Sequence, residues 1–127
     1  MLNKGLRDKE SIRIDNILRM LHSLVYVPKS WNAEDISNID EQLKGFGLSF
    51  QRTIDITEEE LIIHLQRLHL DWNQQEQFAD FLVSFSKENS FNLSSKAIAI
   101  YTYIQSESKM FSFGISNKIA SVKAKLK

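Results

Sequence analysis

Residues 73–85 read NQQEQFADFLVSF, and their periodicity decides the fold class. Phe78, Phe81, Leu82 and Phe85 recur at i, i+3, i+4 and i+7, which puts them on one face of an α-helix. Asn73 and Glu76 stand three apart just ahead of that run. The spacing is that of a capping box, so it predicts a helix starting there. The polar run Ser86 to Asn92 ends it.

The same logic extends in both directions. Upstream, Thr57 and Glu60 form a second capping box, and Ile56 and Leu61 occupy the two positions of a hydrophobic staple. Leu61, Leu65 and Leu68 make the main stripe of this helix, with Ile63 and Leu70 on the opposite side, so two covered faces are expected. Residues 48–56 differ. Leu48, Phe50, Ile54 and Ile56 alternate with Ser49, Gln51, Thr53 and Asp55, a period of two that predicts an extended connection able to pair locally.

A first helix is predicted over Asp8–Val25, from Ile14, Ile17, Leu18, Leu21, Leu24 and Val25 on one face, with Pro28 as its stop. A second is predicted from Asn32 as N-cap, through Ile36, Ile39 and Leu43, to Gly45, which is expected to supply the left-handed residue after the helix. Downstream, a helix opens at Asn92, Ser94 or Ser95 and carries Ala97, Ile100, Tyr101 and Ile104 on one face. After Gly114 a last helix is marked by Ile115, Ile119, Val122 and Leu126, with Lys118, Lys123, Lys125 and Lys127 expected to be exposed. The expected architecture is all-α: five to six helices in an antiparallel bundle or a stack of helical hairpins, with a short extended segment near 48–56.

A chain of 127 residues fits one domain, 1–127, able to bury a core. It contains no cysteine, which removes disulfides and thiolate chemistry and suits a reducing cytoplasm. The opening MLNKGLRDKES has no apolar run and no small-residue cleavage site, so no secretory signal is read there. No apolar run approaches the roughly 20 residues of a membrane helix. Formal net charge is zero, which disfavours nucleic acid as a partner. The charge is unevenly placed, however. Residues 34–80 hold eleven acidic and three basic groups, whereas residues 89–127 hold one acidic and six basic. Helices from the ends packing beside the acidic middle would account for this; a lysine-rich tail meeting an acidic partner is the alternative.

Phe78, Ala79 and Leu82, followed by Ala97, Tyr101 and Ile104, give residues 74–106 a spacing that resembles a tetratricopeptide-type helical hairpin. The resemblance covers a quarter of the chain, lacks the tryptophan–glycine pattern and the closing proline, and shows no period of about 34 residues. It implies a protein- or peptide-binding scaffold without catalytic residues.

Candidates for chemistry are few. His22, His64 and His69 are the only histidines. His64 and His69 are five apart, where a zinc pair on one helix needs three or four. A metal or small-molecule site would therefore have to gather His22 with His64 or His69 across a core, with Glu60 assisting. Glu58, Glu59 and Glu60 are accounted for by the helix dipole. Ser112 stands in no nucleophile elbow, and no catalytic set is assembled, so neither a catalytic residue nor a cofactor is assigned. The two capped helices around Leu70–Asn73 can be drawn as a helix-turn-helix that reads bases with Gln74, Gln75 and Gln77. Residues 74–86 carry Glu76 and Asp80 and no cation, which phosphates would repel. Aromatics at helix ends remain. Trp31, Trp72, Met110, Phe111 and Phe113 are the candidate partner-binding residues of a protein-interaction module or self-associating chain, the reading placed ahead of a histidine site and of DNA binding.

Overall fold

The computed structural model describes residues 2–26, 33–88, 93–109 and 112–125. These form seven helices: α1 (Leu2–Tyr26), α2 (Ala33–Lys44), α3 (Phe50–Asp55), α4 (Glu58–Arg67), α5 (Trp72–Glu88), α6 (Ser94–Ser108) and α7 (Phe113–Lys125). There is no strand among the described residues. Pro28, Trp31, Asn32, Met110, Phe111, Leu126 and Lys127 lie outside them.

The core follows the stripes. Phe78, Ala79, Phe81, Leu82 and Phe85 of α5 are buried, as are Ala97, Ile100, Tyr101 and Ile104 of α6, and these two helices share the most extensive packing. Phe78, Phe81 and Phe85 stack along α5 with neighbouring centroids 5.9 and 5.5 Å apart. Phe46 meets the first of them edge-on at 5.5 Å and Phe50 meets the last at 5.7 Å. An aromatic spine thus joins α5 to the α2–α3 turn, and such offset and edge-on pairs add to the stabilisation from burial alone. Ile14, Ile17, Leu18, Leu21 and Val25 bring α1 onto the same core.

Helix directions are legible from side-chain bonds. Ser95 donates to Glu58 at 3.0 Å, and Gln66 donates to the Tyr103 hydroxyl. Both pairs are 37 residues apart, so α4 and α6 run in the same direction with α5 returning between them. Gln105 donates to Ser116 Oγ at 2.7 Å and to the Ser112 carbonyl, which turns α7 back along α6.

Five local expectations are corrected. Residues 50–55 are helix, not an extended connection. Ser49 Oγ accepts the Arg52 N–H at 3.0 Å as N-cap, and the Phe50 N–H donates to Asp40 at 2.7 Å. Phe50, Thr53 and Ile54 also satisfy i, i+3, i+4, and a helix pairs its own backbone where a lone strand leaves it unpaired. Next, the cap of α5 lies two residues earlier than expected. Asp71 and Gln74 exchange reciprocal bonds, Gln74 N–H to Asp71 Oδ1 at 2.7 Å and Asp71 N–H to Gln74 Oε1 at 3.0 Å. This is a capping box with Asp71, not Asn73, as N-cap. Third, the left-handed residue after α2 is Gly47 (φ 72°) rather than Gly45. Gly45 instead sits where space is tight: a Cβ there would lie 2.5 Å from Ile17 Cδ1, which would have to shift. Fourth, Gly114 lies inside the first turn of α7, whose start is set by Ser112 Oγ accepting the Ile115 N–H at 3.2 Å. The α1 boundary also moves, since the helix includes residues 2–7. The Thr57 cap is as expected, its hydroxyl accepting the Glu60 N–H at 3.1 Å, and both staple residues, Ile56 and Leu61, are buried.

Candidate functional site

Each histidine occupies a different place. On α1, His22 has Nε2 2.9 Å from the Gln77 carbonyl, and its ring meets Phe81 edge-on at 6.5 Å. From α4, His64 has Nε2 on the Phe46 carbonyl and so closes the turn after α2. His69 is exposed and holds a left-handed backbone (φ 59°) just after α4. Two of the rings thus spend a nitrogen on a main-chain carbonyl, a structural use of imidazole that joins helices. No group of three or more His, Asp or Glu among the described residues is placed to hold a metal ion.

Two of the three glutamines proposed for base reading are also committed. Gln74 is buried and donates to Ser11 Oγ at 3.1 Å and Asp15 Oδ1 at 3.0 Å; Gln75 is buried and donates to the Leu70 carbonyl at 3.0 Å. Neither is available to a base edge, which leaves Gln77 as the remaining one of the three. Gln77 borders a shallow groove of about 360 Å³ between α1 and α5, with Asp15, Arg19, His22 and Asn73. Asp15 and His22 already have partners there, and Arg19 donates to Asn16 at 3.3 Å.

One cluster escaped the sequence reading. Lys118 of α7 lies 2.5 Å from Glu76 and 3.0 Å from Asp80 of α5. Asp80 also accepts the Tyr101 hydroxyl at 2.5 Å, and the ammonium stands 6.0 Å from that ring's centroid. Burial works against the Lys118 charge. The hydrogen bonds and charges of Glu76 and Asp80 outweigh it and raise the lysine's pKa above its ordinary value. Burial, together with the Asp80 hydrogen bond and the two negative charges, holds the Tyr101 phenol protonated well beyond the usual tyrosine range. Lys118, expected to be exposed, is therefore half-buried and paired. Glu76 and Asp80 one turn apart were the available signal, but their partner lies about 40 residues on, a distance that spacing rules do not cover. This pairing also realises one contact between the basic C-terminal segment and the acidic middle.

Among the aromatic candidates, Trp72 and Phe113 are described. Trp72 opens α5 with 40% of its surface exposed and rests on Tyr103, ring centroids 6.0 Å apart. Tyr103 is held in turn by Gln66 of α4. Ile63, one turn back from Gln66, is 46% exposed, which corrects the expectation that α4 is covered on two faces. Phe113 is 77% exposed at the start of α7. Trp31, Met110 and Phe111 fall outside the described residues. No helix among the described residues is long and apolar enough to cross a membrane.

No family model matches this chain, and no curated protein or solved structure matches it.

Proposed function

We propose that the chain is a protein-interaction module whose contact face is centred on Trp72 and Tyr103. The observation that carries this reading is a half-exposed tryptophan whose ring is braced from two other helices, by Tyr103 directly and by Gln66 through Tyr103. Tryptophan and tyrosine are the residues most enriched where interfaces concentrate their energy, and a ring fixed before binding loses little freedom on contact. Ile63 extends the apolar area along α4. The tetratricopeptide-like spacing of residues 74–106 is compatible with such a role, its six residues being buried where α5 and α6 pair.

The test is a cross-linking capture and light-scattering comparison of the wild type with Trp72→Ala and Tyr103→Ala. A partner, or a second copy, is expected to be retained by the wild type and weakened at least about tenfold in each variant, in line with interface anchors. Unchanged circular dichroism would show that the fold survives. Equal capture by wild type and both variants would refute the assignment of this face.

A further inference from the structure

Helix α7 differs from the three longer helices, α1, α5 and α6, in how it is attached. Its packing is chiefly against α6, and its buried apolar side chains among the described residues are Ile115 and Val122, with Ile119 partly buried. Its outward positions Phe113, Asn117, Ala120, Ser121 and Lys123 are exposed. Polar bonds supply much of the rest: Gln105 of α6 to Ser112 and Ser116, and Lys118 reaching across to Glu76 and Asp80 of α5. Helix α5, by contrast, buries three phenylalanines, a leucine and an alanine in the centre of the core.

We propose that α7 docks and undocks as a unit on a seat formed by α5 and α6, with Lys118 as the latch that closes it. The seat is acidic where the latch lands, because Glu76 and Asp80 stand one turn apart on α5 and share this one cation. Tyr101, fixed by its hydroxyl to Asp80, forms the floor beside it. With Lys118 in place, two neighbouring negative charges are offset and the apolar residues on either side, Ile115 and Val122, are pressed onto the core. With Lys118 withdrawn, Glu76 and Asp80 repel each other and little apolar area holds the helix. Elements with few buried apolar contacts open below the global unfolding free energy. The pair is only partly shielded from solvent, so added salt weakens the latch directly. Glu76 lies one turn along α5 from Trp72, but the latch does not depend on that face binding anything.

Hydrogen exchange of the full chain, read residue by residue by NMR at neutral pH, decides the matter. The amides of Ile119–Lys123 are compared with those of Phe81–Phe85, at low salt and at about 0.5 M sodium chloride, where the screening length falls below about 5 Å. The α7 amides are expected to exchange together at least about tenfold faster than those of α5, and about threefold faster again at high salt, with α5 unchanged. Lys118→Met should show the fast exchange already at low salt and lose the salt response. Equal protection of α5 and α7 in the wild type would overturn the proposal, because α7 would then open only on global unfolding. A salt response that persists in Lys118→Met would overturn Lys118 as the latch. If that variant fails to fold, the wild-type salt series still decides, since an α7 indifferent to salt has no ionic latch.

Discussion

Helices α2 and α4 end in the same hydrogen-bonded turn, built with different residues. After α2, the Leu48 N–H donates to the Leu43 carbonyl at 3.0 Å and the Gly47 N–H to the Lys44 carbonyl at 2.9 Å. After α4, the Leu70 N–H donates to the Leu65 carbonyl at 3.4 Å and the His69 N–H to the Gln66 carbonyl at 2.9 Å. Each is a Schellman turn with a buried leucine at either end. The left-handed position is Gly47 in one and His69 in the other. Both positions are exposed, but a Cβ on Gly47 would sit only 3.3 Å from His64 Cε1. Where a ring crowds the left-handed position, glycine fills it; at the other turn a side chain is tolerated at the expense of backbone strain.

That contrast can be broken most severely beside the crowded turn. Gly45→Val drives its Cβ toward Ile17 Cδ1 and is expected to lower stability by about 2–3 kcal/mol, as overpacking does. Urea unfolding checks this, and adding Ile17→Val, which removes the clashing methyl, should restore part of the loss. Gly47→Ala should cost about 1–2 kcal/mol, because alanine must adopt a left-handed backbone. An unchanged midpoint would mean that the turn relaxes to another form. His64→Ala leaves the Phe46 carbonyl without its ring partner and should cost about 1 kcal/mol, whereas His69→Ala should move the midpoint by less than about 0.5 kcal/mol. Equal effects of the two would erase the difference between the turns. His69→Gly relieves the strain and should stabilise by about 0.5–1 kcal/mol after the extra freedom of the unfolded chain is counted.

Charge closes α7 where geometry closes α2 and α4, and its signature is silent near neutrality. Tyr101 and Lys118 both keep their protons in the folded chain to higher pH than in the unfolded chain. The unfolded state therefore binds fewer protons above the ordinary tyrosine value of about 10, and stability falls as pH rises through that range. The slope contributed by Tyr101 should approach about 1.4 kcal/mol per pH unit. Thermal melts between pH 7 and 11 should show the decline, reduced in Tyr101→Phe.

The helices with strong apolar stripes were legible because 3.6-residue periodicity and caps such as Thr57 are local properties. The stretch at 50–55 was misread because Phe50 and Ile54, four apart, fit both periods, and the bond from Phe50 to Asp40 that favours the helix comes from ten residues away. Gly45 and Gly47 were recognised as a stop, but which of them takes the left-handed turn depends on Ile17 and His64. The left-handed His69 had no signal at all, since histidine is not the residue expected there. For the candidate site, Trp72 and Phe113 were legible as aromatics at helix ends. Tyr103, Gln66 and the Lys118 cluster were not, because their meaning lies in partners 37 to 42 residues distant.

Gln74 ties the start of α5 to Ser11 and Asp15, partners 63 and 59 residues earlier. Bonds spanning so much chain form only after a large loop has closed, whereas α5, α6 and α7 are neighbours in sequence. The downstream helices are accordingly expected to assemble first, with α1 arriving late as a clasp over an existing nucleus. In kinetic terms, Gln74→Ala should hasten unfolding while leaving the folding rate nearly unchanged.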